Sequence, residues 1–369
     1  MENQKRLLAL DVFRGLTIAL MIIVNNPGSW ETVYRPLLHS SWNGCTPTDL
    51  VFPFFMFIVG TAMWYSYKKS DHRLTGEVAR RIIRRSLLIY IIGLAINAFA
   101  VLTLDVTKLR LMGVLARIAL AYMLASFIVL LPGVRWIRIV TALILVFYWG
   151  ILVIFGGSAP FSLEGNFVRT FDTALLGLDH IPEFHGVRFD QTGLLSTLPS
   201  LGNILFGYLA GRLIDIMPDK ISAVRRLLLW GTAGVIAAIL WNMVFPINKP
   251  LWTSSFVLYT CGFAAIILGI LLWIIDVRGI VRWSKPFMIF GLNPIFLYVF
   301  SEILAISLGH IRITGSAGEP VSLGSQIYES LFRPLAGPFT ASLLFAVVFM
   351  ALCWFTGWLL YKRKIIIKL

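Results

Sequence analysis

The chain has 369 residues, of which 58% are hydrophobic and only 14% are charged. Soluble globular domains contain about 25% charged residues, so this composition excludes a water-soluble globule, and it also excludes a disordered chain or a coiled coil. Lysine and arginine (32) outnumber aspartate and glutamate (18), giving a formal net charge of +14, and three cysteines are too few for a secreted disulfide scaffold.

Long apolar segments recur along the whole chain and predict its fold class. A helix needs about 20 mostly apolar residues to cross the hydrocarbon core of a bilayer, and backbone hydrogen bonds cannot be left open in lipid. We therefore predict an all-α, polytopic membrane helix bundle of ten spans that forms one domain over residues 1–369. The predicted spans are 7–26, 49–67, 84–102, 111–131, 136–155, 193–214, 224–245, 252–275, 286–308 and 339–361.

The basic residues indicate how these helices are oriented. Most lysines and arginines lie in the two termini and in the loops after the second, fourth, sixth and eighth spans. Basic loops remain on the cytoplasmic side of a membrane, and an even number of spans returns the chain to its starting side. Both termini are therefore expected in the cytoplasm, and the net charge requires no nucleic-acid partner.

Three long loops, 27–48, 156–192 and 309–338, are expected on the opposite side of the membrane. In the second loop, apolar residues recur at helical spacing over 166–178. This pattern predicts a short helix that lies on the membrane surface or caps a cavity.

Charged residues inside the spans need a partner or a function, because an intramembrane charge costs about 2.5–3.5 kcal/mol. Asp11 and Arg14 lie three residues apart on one face of the first span. They indicate either an ion pair at the interface or a contact of Arg14 with an anion on the cytoplasmic side. Arg117 lies within the apolar run of the fourth span, where we expect it to bind an anionic group.

The densest polar cluster precedes the second span. Thr46, a proline and Asp49 form a helix N-terminal signal, with the acid three residues after the capping threonine. His39 lies in the loop just before this helix, where Asn25, Asn43 and Asp49 are candidates to orient it. An oriented neutral imidazole is suited to general-base or nucleophilic catalysis. The histidine and cysteine spacings match no zinc motif, so no metal is expected.

These residues alone leave two classes of function open. One is a membrane enzyme with a histidine at the outer mouth of a polar cavity. The other is a transporter whose polar groups bind a solute within the bundle. The sequence shows no inverted repeat and no pair of broken helices of the kind found in many transporters.

Several motifs, in order along the chain, resemble one family. They are LDVFRG at 10–15, HSSWNG at 39–44, DLVFP at 49–53, RLMGVLAR at 110–117, GLLST at 193–197, FPINKPLW at 245–252 and GLNPIFLY at 291–298. Together they resemble the membrane region of the heparan-α-glucosaminide N-acetyltransferase family, which belongs to a transmembrane acyltransferase superfamily. The resemblance covers essentially the whole chain.

The resemblance implies transfer of acetyl from cytosolic acetyl-CoA to the amine of a glucosamine-like amino sugar on the far side of the membrane. It implies that His39 is the catalytic residue and that Asn25 is its companion. His39 either receives the acetyl group or deprotonates the incoming amine. Asn25 or Asn43 is a candidate donor to the tetrahedral oxyanion, and Asp49 completes the expected site.

The coenzyme carries several phosphates, which cannot cross lipid, so its phosphates should stay near basic cytoplasmic residues. Arg14 and Lys285 are candidates for this contact, and Asn293 is expected to join the same binding site. Arg117 is expected either to steady the donor or to steady a neighbouring carboxylate.

The printed sequence has no counterpart of the luminal domain that the animal enzyme carries before its membrane region, so we expect a bacterial source and the inner membrane. The resemblance also makes a homodimer possible by analogy. Two alternatives to N-acetylation remain at this point: O-acylation of a surface polysaccharide, and solute transport without acyl transfer.

Overall fold

A computed structural model describes residues 7–102, 105, 107–131, 133–315 and 319–367. All ten predicted spans coincide with helices. Seven described helices are long and apolar enough to cross a membrane, or eight if one bent pair counts as a single span. The chain thus has the helices of a multi-pass membrane protein, while ten crossings and cytoplasmic termini stay predictions. Lys5, Arg6 and Lys368, which contribute to the predicted orientation, lie outside the described residues.

The helices are numbered in chain order. They are α1 Leu8–Asn25, α2 Val51–Tyr67, α3 Gly76–Val101, α4 Val114–Val129, α5 Val134–Phe155, α6 Phe167–Leu176, α7 Thr197–Ile216, α8 Lys220–Trp241, α9 Ser254–Leu271, α10 Lys285–Leu292, α11 Pro294–His310, α12 Leu323–Ile327 and α13 Pro338–Lys362. Two short antiparallel hairpins pair β1 (Glu183–Phe184) with β2 (Val187–Arg188), and β3 (Arg312–Thr314) with β4 (Pro320–Ser322).

Side-chain caps explain where several helices begin. The Asn166 side chain accepts the N–H of Arg169 at 2.9 Å, and the Asp219 side chain accepts the N–H of Ser222 at 2.8 Å. Each cap satisfies one of the N–H groups that a first helical turn leaves open. The short helix predicted over 166–178 is therefore confirmed as α6.

Two predicted spans differ in extent from the helices. The third, predicted from 84, begins at Gly76 because Thr75 caps an additional basic turn that hydropathy alone does not recognise. The fourth, predicted over 111–131, is a helix of 16 residues. At 1.5 Å per residue it is about 24 Å long, which is shorter than a typical hydrocarbon core.

The ninth predicted span, 286–308, is broken into α10 and α11, and the chain bends there by 74°. Pro294 begins α11; it has no N–H and disfavours helical geometry at the residue before it. That residue, Asn293, donates from Nδ2 to the carbonyl of Ile365 (3.1 Å) and accepts the N–H of Ile367 (2.7 Å). The segment after α13 is therefore fastened to the helix break.

The residues divide into two compact units, of which the first comprises 1–39, 46–52 and 280–368. In this unit α1 packs against α10, α11 and α13. A Cβ atom on Gly15 would overlap the carbonyl of Phe287, and one on Gly291 would overlap the carbonyl of Asp11. Glycine at both positions lets the α1 and α10 backbones touch.

The second unit comprises 40–45 and 53–279. Its central helix is α7, which packs against α4, α5, α8 and α9 and is buried over most of its length. Apolar side chains from α5, from α6, from the loop before α7 and from the loop between α8 and α9 form a hydrophobic core in this unit. These residues are Tyr148, Leu152, Val168, Phe189, Leu195, Phe245 and Leu251. The division does not test the expected single domain, which stays a prediction.

Candidate active site

A histidine and a carboxylate are paired in the first unit. His39 Nδ1 lies 2.7 Å from Asp49 Oδ1. The His39 side chain is 46% exposed, whereas the Asp49 side chain is 0% exposed. The carboxylate is therefore fixed in the protein interior, and the imidazole that it contacts is accessible from outside.

The local sequence explains why Asp49 is held so firmly. Its Oδ2 accepts the backbone N–H of Thr46 at 3.0 Å and lies 3.1 Å from the Thr46 hydroxyl. This is the predicted helix N-terminal signal, and the helix begins as a 3-10 turn at Pro47 before it continues into α2. The Thr46 hydroxyl also donates to the carbonyl of Leu38 at 2.7 Å. The helix start therefore orients the residue next to His39 as well as the carboxylate.

This arrangement determines which ring nitrogen is basic. A carboxylate at Nδ1 favours the tautomer with its proton on Nδ1, so the lone pair of the neutral ring lies on Nε2. The carboxylate also stabilises positive charge that develops on the ring. The pair is thus equipped for proton abstraction or for nucleophilic attack through Nε2.

The other residues expected around His39 lie in different places. Asn25 is the last residue of α1 in the first unit, and its amide makes no hydrogen bond within the part of the chain that the structure describes. Asn43 belongs to the second unit, where its Oδ1 accepts a hydrogen bond from Asn248 Nδ2 at 3.1 Å. The structure thus brings together His39 and Asp49 among the predicted catalytic residues, and the roles of Asn25 and Asn43 stay predictions.

The residues after His39 are held by hydrogen bonds to backbone carbonyl groups of the second unit. Trp42 Nε1 donates to the carbonyl of Phe161 at 2.8 Å, and the N–H of Gly44 donates to the carbonyl of Ile247 at 2.7 Å. Gly44 has φ +101°, a conformation that glycine adopts at little cost. The glycine of the HSSWNG motif therefore allows the turn that brings this segment to residue 247.

Arg117 is fully buried in α4 of the second unit. Its Nη2 donates to the carbonyl of Gln191 at 3.0 Å and to the hydroxyl of Ser196. Its guanidinium stacks on Trp252, with Cζ 4.6 Å from the ring centroid. Nε and Nη1 have no acceptor among the described residues. The contacts show Arg117 holding the loop that precedes α7.

Trp252 has unusual backbone geometry for a large residue. Its φ is +54°, in the left-handed region, and its side chain is almost fully buried. The indole Nε1 donates to Asn203 Oδ1 at 2.9 Å while the ring face receives Arg117. A bulky residue in this conformation is rare and indicates strain that surrounding contacts offset.

Two acidic residues lie near Arg117. Asp190 forms a two-point ion pair with Arg110, at 3.0 Å from Nε and 2.6 Å from Nη2. Burial raises the pKa of Asp190, but the Arg110 charge and hydrogen bonds outweigh this effect and hold the pKa below its usual range. Asp172 of α6 accepts the N–H of Leu195 at 2.9 Å. Burial raises the pKa of Asp172 to about 7, because the charged carboxylate is shielded from water.

The predicted donor-binding residues of the first unit differ in accessibility. Arg14 Nη1 lies 3.3 Å from Asp11 Oδ1 and 3.3 Å from the carbonyl of Gly291. The ion pair that the sequence offered as one interpretation is therefore present. Lys285 is exposed at the start of α10. By contrast, the Asn293 side chain donates a hydrogen bond to Ile365 through Nδ2 and accepts one from Ile367 through Oδ1.

Comparison with known proteins identifies the family. The family model described as heparan-alpha-glucosaminide N-acetyltransferase, catalytic, matches residues 6–227, which is more than half of the chain. The chain belongs to this family. The match includes the His39–Asp49 pair and Arg117, and it ends within α8.

Two curated members of the family are similar over most of this chain. The heparan-alpha-glucosaminide N-acetyltransferase of Mus musculus is 30% identical, over 82% of this chain and 54% of that protein. The protein of the same name from Homo sapiens is 28% identical, over 81% of this chain and 53% of that protein. The chain therefore spans about half the length of the curated relatives that it matches.

Asp172 is not among the site residues predicted from the sequence. A signal was present, because Asp172 follows Val168 by four residues and therefore lies on the apolar stripe of α6. Asp190, three residues before the GLLST motif, was likewise assigned no role. Its partner Arg110 is separated from it by 80 residues, and no local pattern connects them.

Proposed function

We propose that the chain is an integral membrane acetyltransferase. It moves acetyl from cytosolic acetyl-CoA to the amine of a glucosamine-like amino sugar on the periplasmic side of a bacterial inner membrane. The observation that carries the proposal is the 2.7 Å contact between His39 and the buried Asp49 carboxylate. Family membership supports the reaction class, since the matched relatives are named N-acetyltransferases.

In a direct transfer, the amine nitrogen attacks the thioester carbonyl carbon while His39 Nε2 takes a proton from that nitrogen. The carbonyl oxygen becomes negative in the tetrahedral intermediate. The carbon–sulfur bond then breaks, and the imidazolium returns its proton to the coenzyme thiolate. Asp49 stabilises the imidazolium in the interval and keeps Nδ1 protonated.

In a two-step transfer, Nε2 itself attacks the thioester and the coenzyme thiolate departs. The acetyl-imidazolium that remains is positively charged, and its Nδ1–H still faces Asp49. The amine then attacks the acetyl group, the bond to Nε2 breaks, and the proton of the amine passes to the thiolate or to solvent. Both routes require the same tautomer of His39, which the Asp49 contact favours.

The donor is proposed to enter from the cytoplasm. Arg14 and the exposed Lys285 supply charge for its phosphates, and Asn293 lies at the break between α10 and α11 in the same unit. For Arg117, the two proposed roles are to steady the donor and to steady a neighbouring carboxylate; its hydrogen bonds, to the carbonyl of Gln191 and the hydroxyl of Ser196, hold the loop that precedes α7.

The test uses purified protein in proteoliposomes with acetyl-CoA and glucosamine. We expect release of coenzyme thiol in equal amount to an acetylated sugar that survives mild base, as an amide does. A base-labile product would identify a hydroxyl acceptor, and solute flux without thiol release would identify a transporter. Acetyl-CoA supplied only to the cytoplasmic face should support turnover, because a polyphosphate cannot cross lipid.

Replacing His39 tests the catalytic centre. We expect His39→Ala to lower turnover by about 10²–10⁴-fold, the usual contribution of a positioned proton-transfer group. His39→Gln is the matched control for folding, because its amide still donates to Asp49 while lacking a basic nitrogen. It should unfold at nearly the wild-type temperature and be equally inactive. Wild-type turnover in either variant would refute the assignment. By analogy with the family we also propose a homodimer, and the mass of the protein in detergent tests this.

A further inference from the structure

The first turns of α3 carry four arginines, and the protein itself holds two of them. Arg81 Nη2 lies 2.9 Å from Glu77 Oε1. The Arg85 guanidinium stacks on Tyr122 of α4, with Cζ 4.8 Å from the ring centroid. These two arginines therefore already have partners, all of them within the second unit.

The other two arginines of these turns, Arg80 and Arg84, are exposed. Neither forms a hydrogen bond or an ion pair with any residue that the structure describes. Residues four apart in a helix are neighbours on one face, with Cβ atoms about 5–6 Å apart. Both guanidinium groups can therefore reach a single acceptor group.

The same face of α3 continues with apolar side chains. Ile83, Leu87 and Ile91 are exposed and follow one another at four-residue spacing, whereas Ile82 and Ile89 on the opposite face are buried. Only 22% of the apolar stretch of α3 is buried within the protein. The exposed face therefore meets lipid when this helix crosses a membrane.

The length of α3 places the two arginines at the depth of lipid phosphates. The helix has 26 residues and is about 39 Å long, which exceeds a hydrocarbon core of about 30 Å. The part after Arg85 contains no charged residue and is about 24 Å long, so it fills most of that core. Arg80 and Arg84 then lie among the headgroups of the leaflet at the N-terminal end of α3.

We propose that this face of α3 binds an anionic phospholipid. The lipid phosphate lies between Arg80 and Arg84, and the acyl chains lie along Ile83, Leu87 and Ile91. Guanidinium groups bind phosphate through paired N–H donors, and the positive end of the helix dipole lies at the same end of α3. Because the apolar stripe adjoins the arginines, the ligand must present its anionic group next to hydrocarbon, as a phospholipid does. This inference does not depend on the proposed acetyl transfer.

Native mass spectrometry of the purified protein in detergent tests the proposal. Phosphatidylglycerol is the anionic probe, and phosphatidylcholine is the probe without net charge. We expect the wild-type protein to prefer phosphatidylglycerol as its first bound lipid. Replacing both arginines, with Arg80→Gln and Arg84→Gln, should lower the affinity for phosphatidylglycerol by about 10–30-fold, the usual contribution of two basic residues. Each single variant should lose most of the preference, because one phosphate uses both side chains.

The matched control removes the same two charges from α8. Arg225 and Arg226 are exposed near its N-terminus. Adjacent residues of a helix point about 100° apart, so these two arginines do not face one ligand. The variant with Arg225→Gln and Arg226→Gln should therefore keep the wild-type preference for phosphatidylglycerol.

Two results would overturn the inference. One is a wild-type protein without preference for phosphatidylglycerol, and the other is an equal loss in the two double variants, which would mean that only net charge attracts the lipid. Inorganic phosphate should compete weakly, and displacement of the lipid by an equal concentration of phosphate would overturn the assignment to a lipid. Should the double variant of Arg80 and Arg84 fail to fold, the two single variants decide.

Discussion

Two polar clusters of this chain use similar groups in opposite surroundings. At the first, the imidazole of His39 rests on the buried Asp49 carboxylate and is 46% exposed. At the second, the Arg117 guanidinium is fully buried among Ser196, Gln191 and Trp252. A group that must exchange protons or bonds with substrate needs access, whereas a buried charge needs partners. This contrast agrees with the catalytic role proposed for His39, whereas the contacts of Arg117 hold the loop that precedes α7.

The first cluster also depends on a shorter stretch of sequence. A cap signal within four residues fixes Asp49, and His39 needs only one contact with it. The second cluster joins α4 to a loop about 75 residues further along the chain and includes a strained tryptophan. Substitutions should therefore separate loss of turnover from loss of stability.

The largest expected effect is on turnover, in Asp49→Asn. The new side chain must still accept the N–H of Thr46 through its oxygen, so its NH₂ faces His39 Nδ1. The imidazole proton must then move to Nε2, and the basic lone pair is lost from that atom. We expect kcat to fall by about 10²–10⁴-fold, with a small change in Tm because the helix cap remains. Wild-type kcat in this variant would remove Asp49 from the mechanism.

The next effect is on stability, in Arg117→Met. The change leaves the carbonyl of Gln191 without its donor and removes the cation from the face of Trp252. We expect a loss of about 1–3 kcal/mol in the free energy of unfolding, measured by thermal unfolding in detergent. Arg138→Met, a change at an exposed position of α5, is the control and should alter Tm little. An equal Tm for the two variants would contradict a structural role for Arg117.

The third expected effect is a dependence of stability on pH that arises from Asp172. Its pKa is raised by burial to about 7 in the folded protein, whereas an unfolded aspartate titrates near pH 4. Between these values the folded state binds more protons, so stability falls as pH rises from about 4 to about 7 and is level above that. Asp172→Asn keeps an acceptor for Leu195 and has no charge to bury.

We therefore expect the Tm of Asp172→Asn to exceed the wild-type value by several degrees at pH 8 and by less at pH 5. Asp179→Asn, at an exposed position shortly after α6, should follow the wild-type curve at both values. Parallel Tm curves for Asp172→Asn and wild type would show that the buried carboxyl does not titrate in this range.

The sequence was most informative where a local pattern determines the structure. The ten apolar runs coincide with helices because lipid-crossing helices need continuous hydrophobic length. The cap at Thr46 and Asp49 is likewise encoded in four consecutive residues, and it led directly to the His39 contact. The break at Asn293 was also readable in principle, since the residue before a proline resists helical geometry.

Contacts between residues that are far apart in the chain could not be predicted from the sequence. The first unit joins α1 to α10 and α13, which lie near the other end of the chain, and apolar periodicity does not say which helices meet. The same limit applies to Arg110 with Asp190 and to Asn43 with Asn248. In each pair the partner is specified only by the folded structure, because many other polar residues were chemically equivalent candidates.

The positive φ of Trp252 has a consequence for the stability of the protein. Its backbone adopts a conformation that costs a non-glycine residue about 1–2 kcal/mol, and glycine would remove that cost. An indole is nevertheless present, so its stacking with Arg117 and its hydrogen bond to Asn203 outweigh the backbone penalty. Replacing Trp252 with glycine would thus relieve the backbone strain and yet lower the stability of the folded protein. Relieving a positive φ usually has the opposite effect on stability.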